Sequence, residues 1–432
     1  MISQMQINCI ERVRAPRFSS MNFPSPISKN CTGMTASFAA IFAHSAFVVL
    51  ALVCVYNPTF CHGIDGLPDN YEPIEEGHVD FSFCFEDGLW SMGIVHESGG
   101  DPGVPAEGTP REGELAPMIV RDQIFPAGSR GTRPVPTLWS FLGVGESQPY
   151  WTLPESNNLN VVFAGFSVCD IFDAVAYQET DPRVNSTEKW TTVTLRNVEY
   201  IGKKPGGGRF AMWSTDSFGA PTVWMTTENG VDATDTYFVL ADGHSHPNLS
   251  FSALGLYAVT FDLTFYEGPG KTNPNTSPLV TYYFAVGTYW EWIARHFDPT
   301  NWFLQSTITG EQADPDKDGI SNLIEYACDL DPTTADNREF VAAIGKGVPS
   351  ISLNGLDTQV QFPQRLASTN PQIITTVQAS STLGSGSWAP SSGISTVAPL
   401  RTGWQTATHS VGAVPPALFL RLNVVLQNEI TY

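Results

Sequence analysis

Residues 314–325 carry oxygen ligands at the spacing that a calcium ion requires. The segment reads Asp-Pro-Asp-Lys-Asp-Gly-Ile-Ser-Asn-Leu-Ile-Glu. A calcium-binding loop of this kind supplies ligands from positions 1, 3, 5, 7, 9 and 12, with a glycine at position 6 for the turn. The spacing therefore predicts a calcium site followed by an exit helix over 320–328, and an acidic turn that caps a helix is the alternative. The expected ligands are Asp314, Asp316, Asp318, the carbonyl of Ile320, Asn322 and Glu325.

A second group of residues could hold a transition metal ion. His244 and His246 are two positions apart, and in extended backbone such residues point the same way, as zinc ligands on one strand must. His78 and Asp80 form a similar pair near the start of the predicted sheet. We expect a site for Zn²⁺ or another transition metal made by His78, His244 and His246, with Asp80 as a fourth or outer ligand. The alternative is that His244 and His246 stabilise a turn and form only local hydrogen bonds.

The elements that must position these ligands are β-strands. Apolar residues alternate with polar ones over 79–96, and Asp87-Gly88 in the middle is a strong two-residue turn, so we expect a hairpin. Its register would place Phe81 and Phe83 on the core face, with His78 and Asp80 on the opposite face and His96 on the same face as the core residues. The expected pairs are Glu86 with Leu89, Phe85 with Trp90, and Val79 with His96.

The rest of the chain is typical of a mainly β protein. It has 37 glycines and 32 prolines in 432 residues, which indicates short strands and many turns. We expect a large β-sandwich domain, a short helical calcium-binding linker and a small C-terminal β-sandwich. The predicted segments are a leader at 1–62, the large domain at 63–287, the linker at 288–339 and the C-terminal module at 340–432. The predicted strands are 117–121, 160–168, 190–200, 209–213, 221–226, 236–241, 256–266, 281–286, 350–353, 358–362, 373–380, 405–411 and 417–425, and a short helix is expected over 288–298.

The N-terminal segment indicates export. Basic residues precede an apolar stretch over 38–56, which is long for the core of a signal peptide and short for a membrane span. We expect cleavage near 59–62, and a retained membrane anchor is the alternative. Cysteines are few beyond this leader, so the chain is not a disulfide scaffold. Cys84 and Cys169 are the only pair within one predicted domain, and they form either a disulfide or two small buried thiols.

Composition excludes several function classes. The net charge is −21, which argues against nucleic acid and anionic membranes as partners and suits divalent cations. The sequence has no zinc-protease, serine-hydrolase or phosphate-loop motif, so we expect no enzyme. Trp139, Trp151, Trp213 and Trp224 could form a sugar-binding platform, but core packing is the more frequent use of such residues.

Six short stretches carry a resemblance to a known family: 77–80, 86–89, 150–154, 207–213, 244–251 and 255–257. On the basis of these stretches, residues 76–287 resemble the bacterial surface-anchored protein domain of the choice-of-anchor M type. One difference is Leu249, which stands where that family usually has Trp. The resemblance implies a secreted or wall-attached protein, and some family members are associated with metal uptake. The calcium loop is similar to thrombospondin type 3 and dockerin-like modules, which commonly join an N-terminal domain to a C-terminal β module.

These observations favour a secreted or cell-surface, non-catalytic binding or structural protein with a calcium-stabilised linker. One alternative is an extracellular transition-metal-binding protein that serves metal uptake. Another is an extracellular carbohydrate-binding or carbohydrate-active protein. The expected partners are metal ions, with cell-envelope components or glycans as further candidates, and the expected cofactors are Ca²⁺ and, for the histidine cluster, Zn²⁺ or another transition metal.

Overall fold

The computed structural model describes residues 73–97, 111–112, 116–158, 160–185, 187–354, 357–366, 373–412 and 419–427. The predicted leader at 1–62, with its apolar stretch and cleavage site, lies outside the described residues. The described chain is mainly β with several sheets and a few short helices, as the sequence predicts.

The front part of the chain consists of short strands, with 3₁₀ turns at Thr137–Leu142 and Thr227–Asn229. Among the described residues, no α-helix precedes Thr288. In chain order the strands are β1 (Gly77–Glu86), β2 (Leu89–Glu97), β3 (Arg111–Glu112), β4 (Met118–Val120), β5 (Arg130–Thr132), β6 (Pro149–Leu153), β7 (Val162–Cys169), β8 (Trp190–Gly202), β9 (Phe210–Thr215), β10 (Pro221–Thr226), β11 (Thr236–Leu240), β12 (His244–Ser245), β13 (Asn248–Phe251), β14 (Gly255–Gly268), β15 (Thr272–Thr276) and β16 (Val280–Val286).

These strands form three sheets arranged in two layers. One layer is a six-stranded sheet in the order β11-β8-β14-β16-β4, with β15 paired to β14. The other layer contains two five-stranded sheets, β12-β7-β1-β2-β3 and β10-β9-β13-β6-β5. Phe261 on β14 contacts Phe166 of the first five-stranded sheet, with ring centroids 5.3 Å apart, and Phe210 of the second, at 6.2 Å. Both five-stranded sheets therefore cover the same face of the six-stranded one.

The β1–β2 hairpin has the predicted register. Glu86 pairs with Leu89, Phe85 with Trp90 and Val79 with His96. Phe81 and Phe83 are fully buried, and Phe81 stacks on Tyr282 of the opposite layer with ring centroids 4.0 Å apart. Burying side chains of this size contributes about 1.5–3 kcal/mol each, which fixes the register because a slip by one residue would expose the whole set.

The linker begins where the large β part ends. Helix α1 (Thr288–His296) follows β16 and buries its aromatic side chains, and 3₁₀ and π turns at Pro299–Asn301 and Gln305–Thr309 lead to the acidic loop over 314–325. Helix α2 (Asn322–Cys328) leaves the loop, two residues later than predicted. Trp302 packs on Tyr283 of β16 with centroids 5.6 Å apart, so the linker lies on the outer face of the six-stranded sheet.

The C-terminal module has two small sheets, β17-β18-β22-β21 and β20-β19-β23. Its buried residues belong to the same continuous hydrophobic cluster as those of the large β part and the linker. The predicted boundaries at 287 and 340 thus separate segments that share one core. The strands are β17 (Ser350–Asn354), β18 (Asp357–Arg365), β19 (Ile373–Ser380), β20 (Ala389–Pro390), β21 (Ile394–Arg401), β22 (Trp404–Ser410) and β23 (Phe419–Leu426).

Candidate functional site: a histidine–aspartate cluster and an acidic loop

The first candidate site lies on the outward face of the sheet that begins with β12, β7 and β1. Strands β1 and β7 pair in parallel, with Asp80 opposite Gly165 and His78 opposite Phe163. On the other side of β7, β12 pairs antiparallel with His244 opposite Ser167. Because alternate residues of each strand share a face, the ligand candidates of β1 and β12 meet above β7.

Three of the four predicted ligands converge within bonding reach of one ion. His78 Nε2 lies 3.0 Å from His246 Nε2, and Asp80 Oδ1 lies 3.4 Å from each of these nitrogens. Ligand atoms of His78, Asp80 and His246 are all within 4.8 Å of one another. His244 is outside this tight group, with its ring centroid 6.1 Å from that of His78 and 5.7 Å from that of His246. The sequence placed Asp80 at the fourth or outer position, whereas in the structure Asp80 belongs to the tight group and His244 lies outside it.

Gly165 and Phe163 shape the floor of the cluster. A Cβ atom on Gly165 would lie 2.4 Å from His246 Nδ1, so only glycine leaves room for this imidazole. Phe163 stacks on the His246 ring with centroids 3.9 Å apart and an interplanar angle of 15°. Sequence reasoning missed both residues, although a glycine inside a predicted strand is a known sign of close approach by another group.

Burial sets the charge state of His246. Desolvation, followed by the charge on His78, lowers the pKa of His246 to about 4, so its ring is neutral at physiological pH. The side chains of His246 and Asp80 are 7% and 13% exposed, whereas that of His78 is 25% exposed. A neutral imidazole keeps the lone pair that a metal ligand needs. Two imidazole nitrogens and one carboxylate oxygen are donors that suit Zn²⁺ and also Fe²⁺.

The second candidate site is the acidic loop before α2. Ligand atoms of Asp314, Asp316 and Asp318 lie within 4.8 Å of one another. The turn is closed by Gly319, which has a φ of 91° and donates its N–H to Asp314 Oδ2 at 3.0 Å. Asp314 Oδ1 and Asp316 Oδ2 are buried and have no hydrogen-bond partner in the described protein. Such carboxylate oxygens are costly to bury unless a cation is their partner.

Glu325 is the least solvated acid of this loop. It is fully buried, and neither carboxylate oxygen has a hydrogen-bond partner among the described residues. Burial and then the charges of Asp316, Asp318 and Asp314 raise its pKa to about 9. Glu325 stands outside the tight group of the three aspartates. The donor set of this loop, hard carboxylate oxygens only partly satisfied by the backbone, fits Ca²⁺.

Asn322 differs in its contacts from the other predicted calcium ligands. Its Nδ2 donates to the carbonyls of Ile308, at 2.6 Å, and Gly310, at 3.0 Å, which fastens the preceding segment to the start of α2. Its Oδ1 is buried without a hydrogen-bond partner in the described chain. The backbone N–H of Ile320 donates to Asp318 Oδ1 at 2.8 Å, which holds that carboxylate at the loop.

The cysteines and tryptophans have structural positions. Cys84 and Cys169 form a disulfide at directly paired positions of β1 and β7, with Cα atoms 4.5 Å apart. Trp151, Trp213 and Trp224 are buried, and Trp139 packs edge-on against Trp213 with centroids 5.1 Å apart. Core packing is therefore the use of these tryptophans.

The chain was compared with known proteins. No family model matches it, and no curated protein matches it. Within the residues that the structure describes, no helix is long and apolar enough to span a membrane.

Proposed function

We propose that this chain is a non-catalytic, exported metal-binding protein whose cluster of His78, Asp80 and His246 takes a transition metal ion. The observation that carries the proposal is the approach of two imidazole nitrogens to 3.0 Å, with one carboxylate oxygen 3.4 Å from both. Donors that share one ion are separated by such distances. Export and a role at the cell surface or in metal uptake are supported by the apolar N-terminal stretch and by the resemblance to surface-anchored domains.

Zinc titration of the full chain tests this function. The purified protein, stripped of metal by a chelator and dialysed, should bind one Zn²⁺ tightly by calorimetry in the presence of excess Ca²⁺. His246→Ala should abolish that binding, because the variant removes a nearly buried ligand. Wild-type protein without tight Zn²⁺, Fe²⁺ or Co²⁺ binding would show that the cluster is a hydrogen-bonded histidine pair only.

A calcium-stabilised linker is the second proposed property, and Glu325 is the observation that favours it. A fully buried carboxylate beside three aspartates is unfavourable without a cation, so Ca²⁺ should stabilise this segment. Lys203, at the end of β8, connects the linker to both β parts of the chain. Its Nζ contacts Glu311 Oε1 of the linker at 2.6 Å and donates to the Leu426 carbonyl of the C-terminal module at 3.1 Å. Large β part, linker and C-terminal module meet at this one ammonium group.

Chelation tests the calcium property. Thermal unfolding in Ca²⁺ and in excess chelator, with proteolysis of the 299–336 segment followed in parallel, should show a lower unfolding temperature and faster cleavage without Ca²⁺. Identical melting and cleavage under both conditions would remove calcium from the description of the linker.

A further inference from the structure

The histidine–aspartate cluster leaves one coordination position for another ligand. Zinc is usually four-coordinate, and His78, Asp80 and His246 supply three donors. Zn–N distances of about 2.1 Å and tetrahedral angles place the ring centroids of two histidine ligands roughly 5 Å apart. The His244 centroid lies 5.7 Å from that of His246 and 6.1 Å from that of His78. Both separations are within about 1 Å of that value, so His244 is a candidate for the remaining position.

Solvent exposure distinguishes His244 from the other ligands. His246 is covered by the ring of Phe163 and held against Gly165, and Asp80 lies in the middle of a ten-residue strand. His244 is exposed. It is the exposed member of the four candidate ligands, and therefore the one that an acceptor in solution can reach most easily.

The backbone that carries His244 lies at the edge of its sheet. It belongs to strand β12, which has two residues. It follows a turn in which Asp242 has a φ of 55°. Side chains hold this segment on both sides of His244. Asp242 Oδ1 accepts the N–H of Ile171 at 2.9 Å, and Ser245 Oγ accepts a hydrogen bond from Tyr237 at 2.9 Å. Edge segments with few contacts open at lower free energy than central strands.

From these observations we infer that His244 is the exchangeable fourth ligand of the site, and that the protein passes its transition metal ion to an acceptor by ligand exchange. This inference rests on the metal-binding function proposed above. In the exchange, a donor atom of the acceptor forms a bond to the ion as the bond between the ion and the His244 imidazole breaks. The lone pair returns to the imidazole nitrogen and the oxidation state of the metal does not change. The bonds from the ion to His78, Asp80 and His246 then break in turn as further donor atoms of the acceptor bind, and each lone pair returns to its protein ligand.

Transfer kinetics in the full chain test the inference. Zn²⁺-loaded wild type and His244→Ala are mixed with a chromophoric chelator as the acceptor, and Co²⁺-loaded samples are compared by visible absorption. Leu240→Ala, a substitution near the same turn that removes no ligand atom, is the control. His244→Ala should still bind one ion, with affinity lowered at least about tenfold and faster loss to the chelator, because water replaces the imidazole. Its Co²⁺ spectrum should change, and that of the control should not.

The outcomes separate the two proposals. A His244→Ala variant with wild-type affinity, transfer rate and Co²⁺ spectrum would overturn the exchangeable-ligand role and leave the three-ligand site in place. A variant that binds no metal at all would also overturn it, since His244 would then be an essential ligand. If the wild-type protein binds none of these ions, the proposed function itself fails.

Discussion

The Nε2 atoms of His78 and His246 lie 3.0 Å apart, although 168 positions separate the two residues in the sequence. Without an ion, one ring must donate and the other accept, so a single proton lies between them. With an ion, both lone pairs point at the cation and that proton is displaced. The same side chains therefore suit a hydrogen-bonded pair and a metal-bound state, and metal binding needs little rearrangement of the backbone.

Gly165→Ala should remove metal binding without removing a ligand. The new Cβ would lie 2.4 Å from His246 Nδ1 and 2.6 Å from the Ser245 carbonyl oxygen, so the imidazole and β12 must shift. We expect the Zn²⁺ affinity to fall at least about tenfold, measured by calorimetry. Gly386→Ala is the matched control, because a Cβ there meets no atom within 4 Å. Equal affinities in the two variants would contradict the geometry described for His246.

Glu325→Gln should uncouple stability from calcium. The amide cannot supply the negative charge that Ca²⁺ requires, so most of the calcium-dependent rise in unfolding temperature should disappear. In chelator, the variant should be at least as stable as the wild type. The raised pKa means that the wild-type Glu325 must take up a proton on folding at neutral pH, whereas the amide is neutral in both states. Calorimetric unfolding with and without Ca²⁺ checks both signs. A variant that keeps the full calcium response would exclude Glu325 as a ligand.

Opening the Cys84–Cys169 disulfide should destabilise the sheet that carries the histidine–aspartate cluster. The bond closes a sequence separation of 85 residues, and loss of such a constraint typically costs about 2–4 kcal/mol. Cys84→Ser, Cys169→Ser and the double variant should lose the same free energy of unfolding in denaturant titrations, because each opens the same bond. Addition of a dithiol reductant should lower the stability of the wild type alone, and equal effects on all four proteins would argue against the bond.

Arg365→Ala should loosen the contact between α2 and the C-terminal module. The guanidinium lies between the rings of Tyr326, at 4.0 Å, and Trp404, at 4.2 Å, and its Nε donates to the Tyr326 carbonyl at 3.0 Å. Its removal should cost about 2–4 kcal/mol of unfolding free energy. Arg365→Lys should restore little, since an ammonium group cannot stack between two rings. Arg338→Ala, a half-exposed arginine, is the control and should change stability little.

Local patterns predicted most of the elements that position the candidate site. The alternation of apolar and polar residues, together with the Asp87-Gly88 turn, predicted the residue pairs of the hairpin correctly. It could do so because one face of the hairpin is buried and a slip by one residue would expose that face. Strands without such a pattern had no predicted counterpart. Strand β15 reads Thr-Asn-Pro-Asn-Thr, and β21 is exposed along nearly its whole length, so neither has an apolar face to detect.

The convergence of the cluster depends on pairings that lie far apart in the sequence. That β1 pairs in parallel with β7 and that β12 then pairs with the other edge of β7 cannot be read from periodicity. The spacing therefore placed His78 near Asp80 and His244 near His246. That the two pairs lie close together was a hypothesis that the spacing could not establish. Gly165 has no side chain, so His246 can lie directly beside Asp80. For this reason Asp80, and not His244, belongs to the tight group of ligand atoms.

The shared hydrophobic core has a mechanical consequence. A pull on the C-terminal module of a protein with a free linker would stretch only that linker. Here the load would pass through Trp404, Arg365 and Tyr326 into α1, and through Lys203 into the end of β8. Calcium bound at the 314–325 loop, which lies in the chain between these contacts, would therefore raise the force at which the C-terminal module detaches.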